Sequence, residues 1–201
     1  MVLHVGCGPK GLHRLHGVFH DPAEWSEVRL DLDPAVQPDI VCSTADMRRH
    51  VRDGVFDSVW SSHNIEHLYD HEVPKAFAEI RRVLRSDGAF LVRCPDLEAV
   101  VEAMMQGGLE SVAYMSPAGP ITPLDMLYGH RKSIERGNTF MAHHTAFTDL
   151  RLGRMLLEAG FVSVRTKRAP VFDLWAIAFA EDADQASWLA QLAAAGLAFE
   201  E

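Results

Sequence analysis

Short apolar runs alternate along this chain with stretches whose apolar residues recur every three or four positions. Val2-Leu3-His4-Val5 reads as a first strand, followed by a glycine loop at 6–11. Residues 12–19 read as a short helix, weakened by a glycine and histidines. Two strands follow at 28–32 and 39–42, the first ended by Asp33-Pro34. The gap between them is too short for a crossover helix. Asp46 is expected to cap a short helix through Val51, and 56–60 is the next strand. Val73, Ala76, Phe77, Ile80, Val83 and Leu84 define a helix, with Asp70 as cap and Pro74 in its first turn. A strand at 89–92 and a helix from Leu97 to about Met105 come next. Residues 107–145, rich in Gly, Pro and His, read as a long irregular segment of the kind that forms lids or substrate loops. A helix at 150–159 stopping at Gly160, two strands at 161–166 and 172–180 turning at Pro170, and a closing amphipathic helix at 182–195 complete the pattern. Strands alternating with helices predict one α/β domain spanning 1–201, a doubly wound Rossmann-like sheet, mostly parallel, without the helix between strands two and three.

Composition agrees with a single packed domain: 201 residues, 48% hydrophobic and 23% charged. A net charge of −9 argues against a uniformly basic nucleic-acid surface. No apolar run is long enough to predict a membrane span, and no signal peptide is expected before the first strand. Cys7, Cys42 and Cys94 are odd in number and lie in or beside apolar runs, so buried reduced thiols and a cytoplasmic location are expected.

The loop Gly6-Cys7-Gly8-Pro9-Lys10-Gly11 is a G-x-G-x-x-G pattern after a strand, where glycines let the backbone turn tightly and approach a ligand. Alone, it suits a nicotinamide cofactor as well as an adenosine one. Asp31 ends the second strand, where a carboxylate can accept two ribose hydroxyls; Asp46 stands where it could meet an adenine or simply cap a helix.

Taken with those residues, Leu30-Asp31-Leu32-Asp33-Pro34, Thr44-Ala45-Asp46-Met47, Phe56-Asp57-Ser58-Val59-Trp60-Ser61-Ser62-His63, Ile65-Glu66-His67-Leu68 and Glu79-Ile80-Arg81-Arg82-Val83-Leu84 occur in an order that resembles class I S-adenosylmethionine-dependent methyltransferases, in the branch acting mostly on small molecules, lipids and glycans. The resemblance covers residues 1 to about 96, and the tail after Ala159-Gly160-Phe161 is similar to that family's end. It implies a seven-stranded sheet with the last strand antiparallel, S-adenosylmethionine as cofactor, and cofactor contacts from Gly6, Cys7, Gly8, Asp31, Leu32, Asp46, Met47, Ser61, Ser62 and His63. His4 departs from the pattern, standing where the family often has an acid. The N-terminal helices that often cover the family's active site are also not seen before the first strand, and residues 107–145 or a partner would supply that cover. Two other readings remain: a non-catalytic adenosylmethionine-binding module, and a nicotinamide-dependent oxidoreductase for which no sizeable substrate domain follows.

His63-Asn64-Ile65-Glu66-His67 also matches the H-x-x-E-H pattern of inverted zinc proteases. It abuts the strand at 56–60 inside the stretch the methyltransferase resemblance accounts for, so no metal is expected. His63, His67 and His143 are instead the candidates for general base near the methyl acceptor. The basic run around Arg131 and Lys132 is expected to face that acceptor, a small molecule, glycan or lipid rather than a nucleic acid; the segment typical of methyltransferases acting on amino groups of bases does not follow Trp60.

Overall fold

The computed structural model describes residues 1–11 and 14–199. Its sheet has seven strands: β1 (Val2–Val5), β2 (Glu27–Asp31), β3 (Ile40–Val41), β4 (Phe56–Ser62), β5 (Leu84–Pro95), and the two late strands β8 (Ser163–Ala169) and β9 (Asp173–Phe179), in the order β3-β2-β1-β4-β5-β9-β8. A hairpin of β6 (Tyr114–Ser116) and β7 (Gly119–Ile121) stands apart from it. The first five strands pair in parallel, and β9 runs antiparallel to both β5 and β8. Only a 3-10 turn, Pro34–Val36, separates β2 from β3, as their spacing required.

Period-two alternation in the central strands feeds two cores. Phe90 and Val92 of β5 face one side, where α1 (Val73–Val83) and α5 (Asp149–Glu158) lie, while Ala89 and Leu91 face the other. Val73, Ala76, Phe77, Ile80 and Val83 of α1 are fully buried, and each large side chain among them contributes roughly 1.5–3 kcal/mol. Among the described residues, no α-helix directly after β1 covers the second face. The expected helix at 12–19 falls partly on residues 12–13, outside the described residues; beyond them the chain forms only a 3-10 turn, Gly17–Phe19. The face is covered instead by α6 (Gln185–Ala194) and an aromatic cluster in which Phe19 meets Trp25 edge-on at 4.9 Å and Trp60 stacks on Trp175 at 5.8 Å.

Several boundaries differ from the sequence expectation. Asp46 caps no helix; residues 43–50 are turns, with the Asp46 N–H donating to the Ser43 carbonyl at 3.0 Å. Asp70 does not cap α1 but accepts from Thr145 Oγ1 at 3.2 Å and pairs with Arg151. Residues 107–145 are not irregular. After α2 (Leu97–Gly107) come the β6–β7 hairpin, α3 (Pro123–Tyr128) started by a Thr122–Asp125 capping box, α4 (Arg131–Glu135) and a 3-10 turn, Thr139–Met141. Gly129 makes that packing possible: at φ +92°, a Cβ there would lie 1.8 Å from the Met141 carbonyl oxygen. No helix among the described residues is long and apolar enough to cross a membrane.

Candidate active site

The carboxyl ends of β1, β2, β4 and β5 open onto a cavity of about 1170 Å³. Ligands of open α/β sheets bind at this end because the loops there diverge on either side of the switch in strand order. On one flank, Gly6 and Gly8 lie in the left-handed region at φ +63° and +59°, which bares their backbone to the cavity. Gly8 N–H donates to Asp31 Oδ2 at 2.8 Å, and Asp33 N–H to Asp31 Oδ1 at 3.0 Å. The buried Arg29 guanidinium donates to the carbonyls of Gly8 and Gln37, pinning the same loop from behind. A carboxylate offers about four acceptor sites. Asp31, which lines the cavity, therefore keeps capacity for two hydroxyls of a ligand.

On the other flank, the loop after β4 carries a histidine and carboxylate cluster. His63 takes a left-handed φ of +49°, rare for a residue with a side chain. Its Nδ1 faces Glu66 Oε1 and its Nε2 faces Asp173 Oδ1, both at 3.4 Å. Burial alone would lower its pKa, but the Asp173 and Glu66 carboxylates outweigh burial and lift it to about 9. His63 thus holds both ring protons at neutral pH and has no lone pair with which to accept another. His67 Nδ1 bonds to the Ala142 carbonyl at 3.0 Å and His143 Nδ1 to the Met126 carbonyl at 2.8 Å. A carbonyl only accepts, so in both rings Nδ1 carries a hydrogen, and Nε2 is the atom that accepts or ligates whenever the ring is neutral. Burial also holds the His143 pKa below its usual value, so that ring is neutral. Glu66 lies between them with only 1% of its surface exposed. Burial would raise its carboxyl, but His63 beside it holds it below the usual carboxylate range.

Residues 3–92 match the family model of the methyltransferase domain. That match embraces the glycine loop, Asp31 and the β4 end together. Residues 3–92 are thus similar to the methyltransferase domain, and the whole fold is that of the S-adenosylmethionine-dependent methyltransferases. Solved structures agree in fold. A protein of Pyrococcus horikoshii is 14% identical and superimposes over 89% of this chain and 81% of its own with a TM-score of 0.60. A SAM-dependent methyltransferase of Archaeoglobus fulgidus, 14% identical, covers 88% and 84% with a TM-score of 0.54. A SAM-dependent methyltransferase of Thermotoga maritima described as a possible histamine N-methyltransferase, also 14% identical, covers 88% and 80% with a TM-score of 0.52. No curated protein matches the chain closely enough to count as a relative.

The methyltransferase-domain match implies S-adenosylmethionine as the cofactor. Of the residues expected to hold it, Gly6, Gly8, Asp31, Leu32, Ser62 and His63 line the cavity. Cys7 and Ser61 are buried beside them and do not line it; for Ser61, in β4, the reason is that successive strand residues point to opposite faces. Met47 is fully buried and its N–H is committed to Glu79 Oε2 at 2.8 Å. Asp46 is exposed and outside the cavity; Cys42, Ser43 and Thr44 form that wall instead. His4 does not replace the missing acid, since its ring is buried against Glu27 Oε1 at 2.7 Å. All three cysteines are buried and free, and burial pushes the Cys7 and Cys42 thiols up to about 11.

On the acceptor side, His63, His67 and His143 do meet at one wall. The basic run does not join them: Arg131 is tied to Asp125 at 2.9 Å, and both it and Lys132 are exposed and outside the cavity. Cations reach the methyltransferase cavity elsewhere, from Arg14 after the glycine loop and Arg93 near the end of β5. Sequence reasoning missed Arg93, Asn64 and Asp173, all of which line the cavity. Arg93 was within reach of the strand-end rule. Asp173 was not, because only the antiparallel direction of β9 brings its first residue to this rim, 3.1 Å from Arg93. Asn64 packs onto Gly6, and its Nδ2 is buried without a partner.

Proposed function

We propose that this methyltransferase methylates a small-molecule, lipid or glycan acceptor held between the histidine wall after β4 and the segment 107–145. One observation carries the reading: Asp31 on the cofactor flank and His63, His67 and His143 on the other line a single continuous cavity. When bound, S-adenosylmethionine supplies a methyl group already activated on a sulfonium, so the protein's main task is alignment. Asp31 is assigned to the ribose hydroxyls; the slot formed by Leu32, Val36, Cys42 and Thr44 takes the adenine. Ser62, His63 and the unpartnered Asn64 amide take the methionine end. The lone pairs on His67 and His143 Nε2 face the acceptor.

Tyr114, Met126, His130, Phe140 and Met141 of the segment 107–145 line the cavity, which supports reading that segment as its cover. Aromatic faces support an acceptor of modest size; Tyr114 stacks on Phe172 at 5.9 Å and Tyr69 on His144 at 4.1 Å. Carboxylates at Asp31, Asp33, Glu66, Glu72, Asp125 and Asp173 outnumber Arg14, Arg93 and the protonated His63 among the lining charges, which disfavours a polyphosphate chain. A cytoplasmic setting fits three unpaired cysteines.

Calorimetric titration with S-adenosylhomocysteine and with NAD tests the cofactor side. The adenosyl ligand should bind in the micromolar range, about −8 kcal/mol, and NAD should give no heat. Tight NAD binding with no response to the adenosyl ligand would overturn it. Incubation with radiolabelled S-adenosylmethionine and a metabolite extract tests the acceptor side. Cofactor binding without transfer to any component would mark a binding module instead.

A further inference from the structure

We infer that Glu66, His67 and His143 form a binding site for a divalent transition-metal ion whose open positions face the acceptor end of the cavity. One ligand atom from each of the three can be chosen so that all lie within 4.8 Å of one another, and all three residues line the cavity. Two further features make the cluster a built site. Glu66 is almost wholly buried, and apart from the ion pair of Oε1 with His63 at 3.4 Å neither carboxylate oxygen has a hydrogen bond. Buried carboxylate oxygens are nearly always hydrogen-bonded, so a pair at a cavity wall met only by one long ion pair at Oε1 leaves Oε2 open to a further electropositive partner. The two imidazoles are also oriented for ligation. With Nδ1–H donated to the Ala142 and Met126 carbonyls, each ring is locked in the tautomer that leaves Nε2 free. Metal-bound histidines are held by this same backbone hydrogen bond.

Two imidazole nitrogens and one carboxylate oxygen form a borderline donor set suited to Zn²⁺, Co²⁺, Mn²⁺ or Fe²⁺, and less to Mg²⁺ or Ca²⁺, which prefer oxygen. Three protein ligands leave room for an oxygen of the acceptor. His63 is not a ligand, because both its nitrogens face carboxylates. The H-x-x-E-H spacing therefore supplies two ligands, and the third comes from His143, at the far end of the segment after α2. The ion would thus also tie that segment to the loop after β4. The site does not depend on which acceptor is used.

The test uses the full chain, stripped with a chelator and titrated with Co²⁺ alone, then Zn²⁺ as competitor, with Mg²⁺ for comparison. One equivalent of Co²⁺ per chain should bind and give a visible d–d absorption band, which Zn²⁺ abolishes and Mg²⁺ does not. Glu66→Gln and His143→Gln should each weaken Co²⁺ binding at least about 100-fold while leaving S-adenosylhomocysteine affinity within about twofold; His50→Gln, at an exposed histidine, should change neither. If the variants fail to fold, the wild-type chain decides by itself: Zn²⁺ should raise its melting temperature, and Mg²⁺ at equal concentration should not. Absence of the band, or the same band in a folded Glu66→Gln chain, would overturn the site. Loss of adenosylhomocysteine binding in the wild type with the band present would instead overturn the cofactor assignment and leave the metal site standing.

Discussion

The backbone N–H of Gly8 donates to Asp31 Oδ2 at 2.8 Å, so the glycine loop and the acid that ends β2 act as one unit. Removing the carboxylate should therefore do two things: delete the acceptor of the ribose hydroxyls and release the loop. Asp31→Ala should weaken S-adenosylhomocysteine binding by roughly 10- to 100-fold, the loss expected for one or two charge-assisted bonds. Asp31→Asn, which keeps one acceptor oxygen, should lose less. Calorimetry on folded protein checks both; an unchanged dissociation constant for the alanine variant would return Asp31 to a purely structural role.

A second prediction follows from the contact of Asn64 with Gly6. A Cβ at position 6 would lie 2.2 Å from Asn64 Cγ, on a backbone at φ +63°. Gly6→Ala should destabilise the fold by roughly 1–3 kcal/mol and abolish detectable cofactor binding. Adding Asn64→Gly should recover the part due to collision and leave the part due to backbone strain. Thermal denaturation of the single and double variants separates the two contributions.

His67 and His143 line the cavity with Nδ1 bonded to backbone carbonyls, whereas His63 is held between two carboxylates. His143→Gln should lower turnover by roughly 10²–10⁴-fold whether the ring acts on the acceptor directly or through an ion. S-adenosylhomocysteine affinity should stay within about twofold. Methyl transfer from radiolabelled cofactor, read beside calorimetry, checks the split; full activity in this variant would remove His143 from the machinery.

Acid stability should report a different cluster. Glu79 accepts from Arg82 Nε at 2.7 Å and from Met47 N–H at 2.8 Å, tying α1 to the turn after β3. The Arg82 guanidinium holds the Glu79 carboxyl below its ordinary range. A carboxyl depressed on folding stabilises above its unfolded pKa, and that contribution disappears as pH falls through the folded value. Glu79→Gln should therefore cost roughly 1–3 kcal/mol at pH 7. The gap from wild type should shrink below about pH 4.5, where the carboxyl of the unfolded chain takes up its proton. Urea unfolding at several pH values measures it; a gap that widens toward acid would contradict this assignment.

The seven strands of the sheet, the helices α1, α2, α5 and α6 and the absent helix between β2 and β3 were legible in the sequence; the turns at 43–50 and the elements within 107–145 were not. Those features depend on local patterns: the apolar run Ala89-Phe90-Leu91-Val92 of β5, the three- and four-residue apolar spacing of α1, and the few residues between Asp31 and Ile40. The flank with Gly6, Gly8 and Asp31 was legible for the same reason, since a strand, its turn and the acid after the next strand are set by short spacings. What the sequence could not determine is which side chains face inward where the chain is irregular. Met47 was assigned to the cofactor yet lies in the core with its N–H taken by Glu79, because a turn, unlike a strand, has no fixed period. Arg131 was expected at the cavity but is held outside by Asp125, a pairing made by the α3–α4 packing. The histidine cluster shows the division most clearly. His63-Asn64-Ile65-Glu66-His67 suggests histidines at positions 63 and 67 as partners. In the folded protein His63 turns, at a left-handed φ, between Glu66 and Asp173, and His143 takes its place beside Glu66 and His67. That exchange brings together residues far apart in the chain, and only the closing of the segment after α2 over the carboxyl end of the sheet decides it.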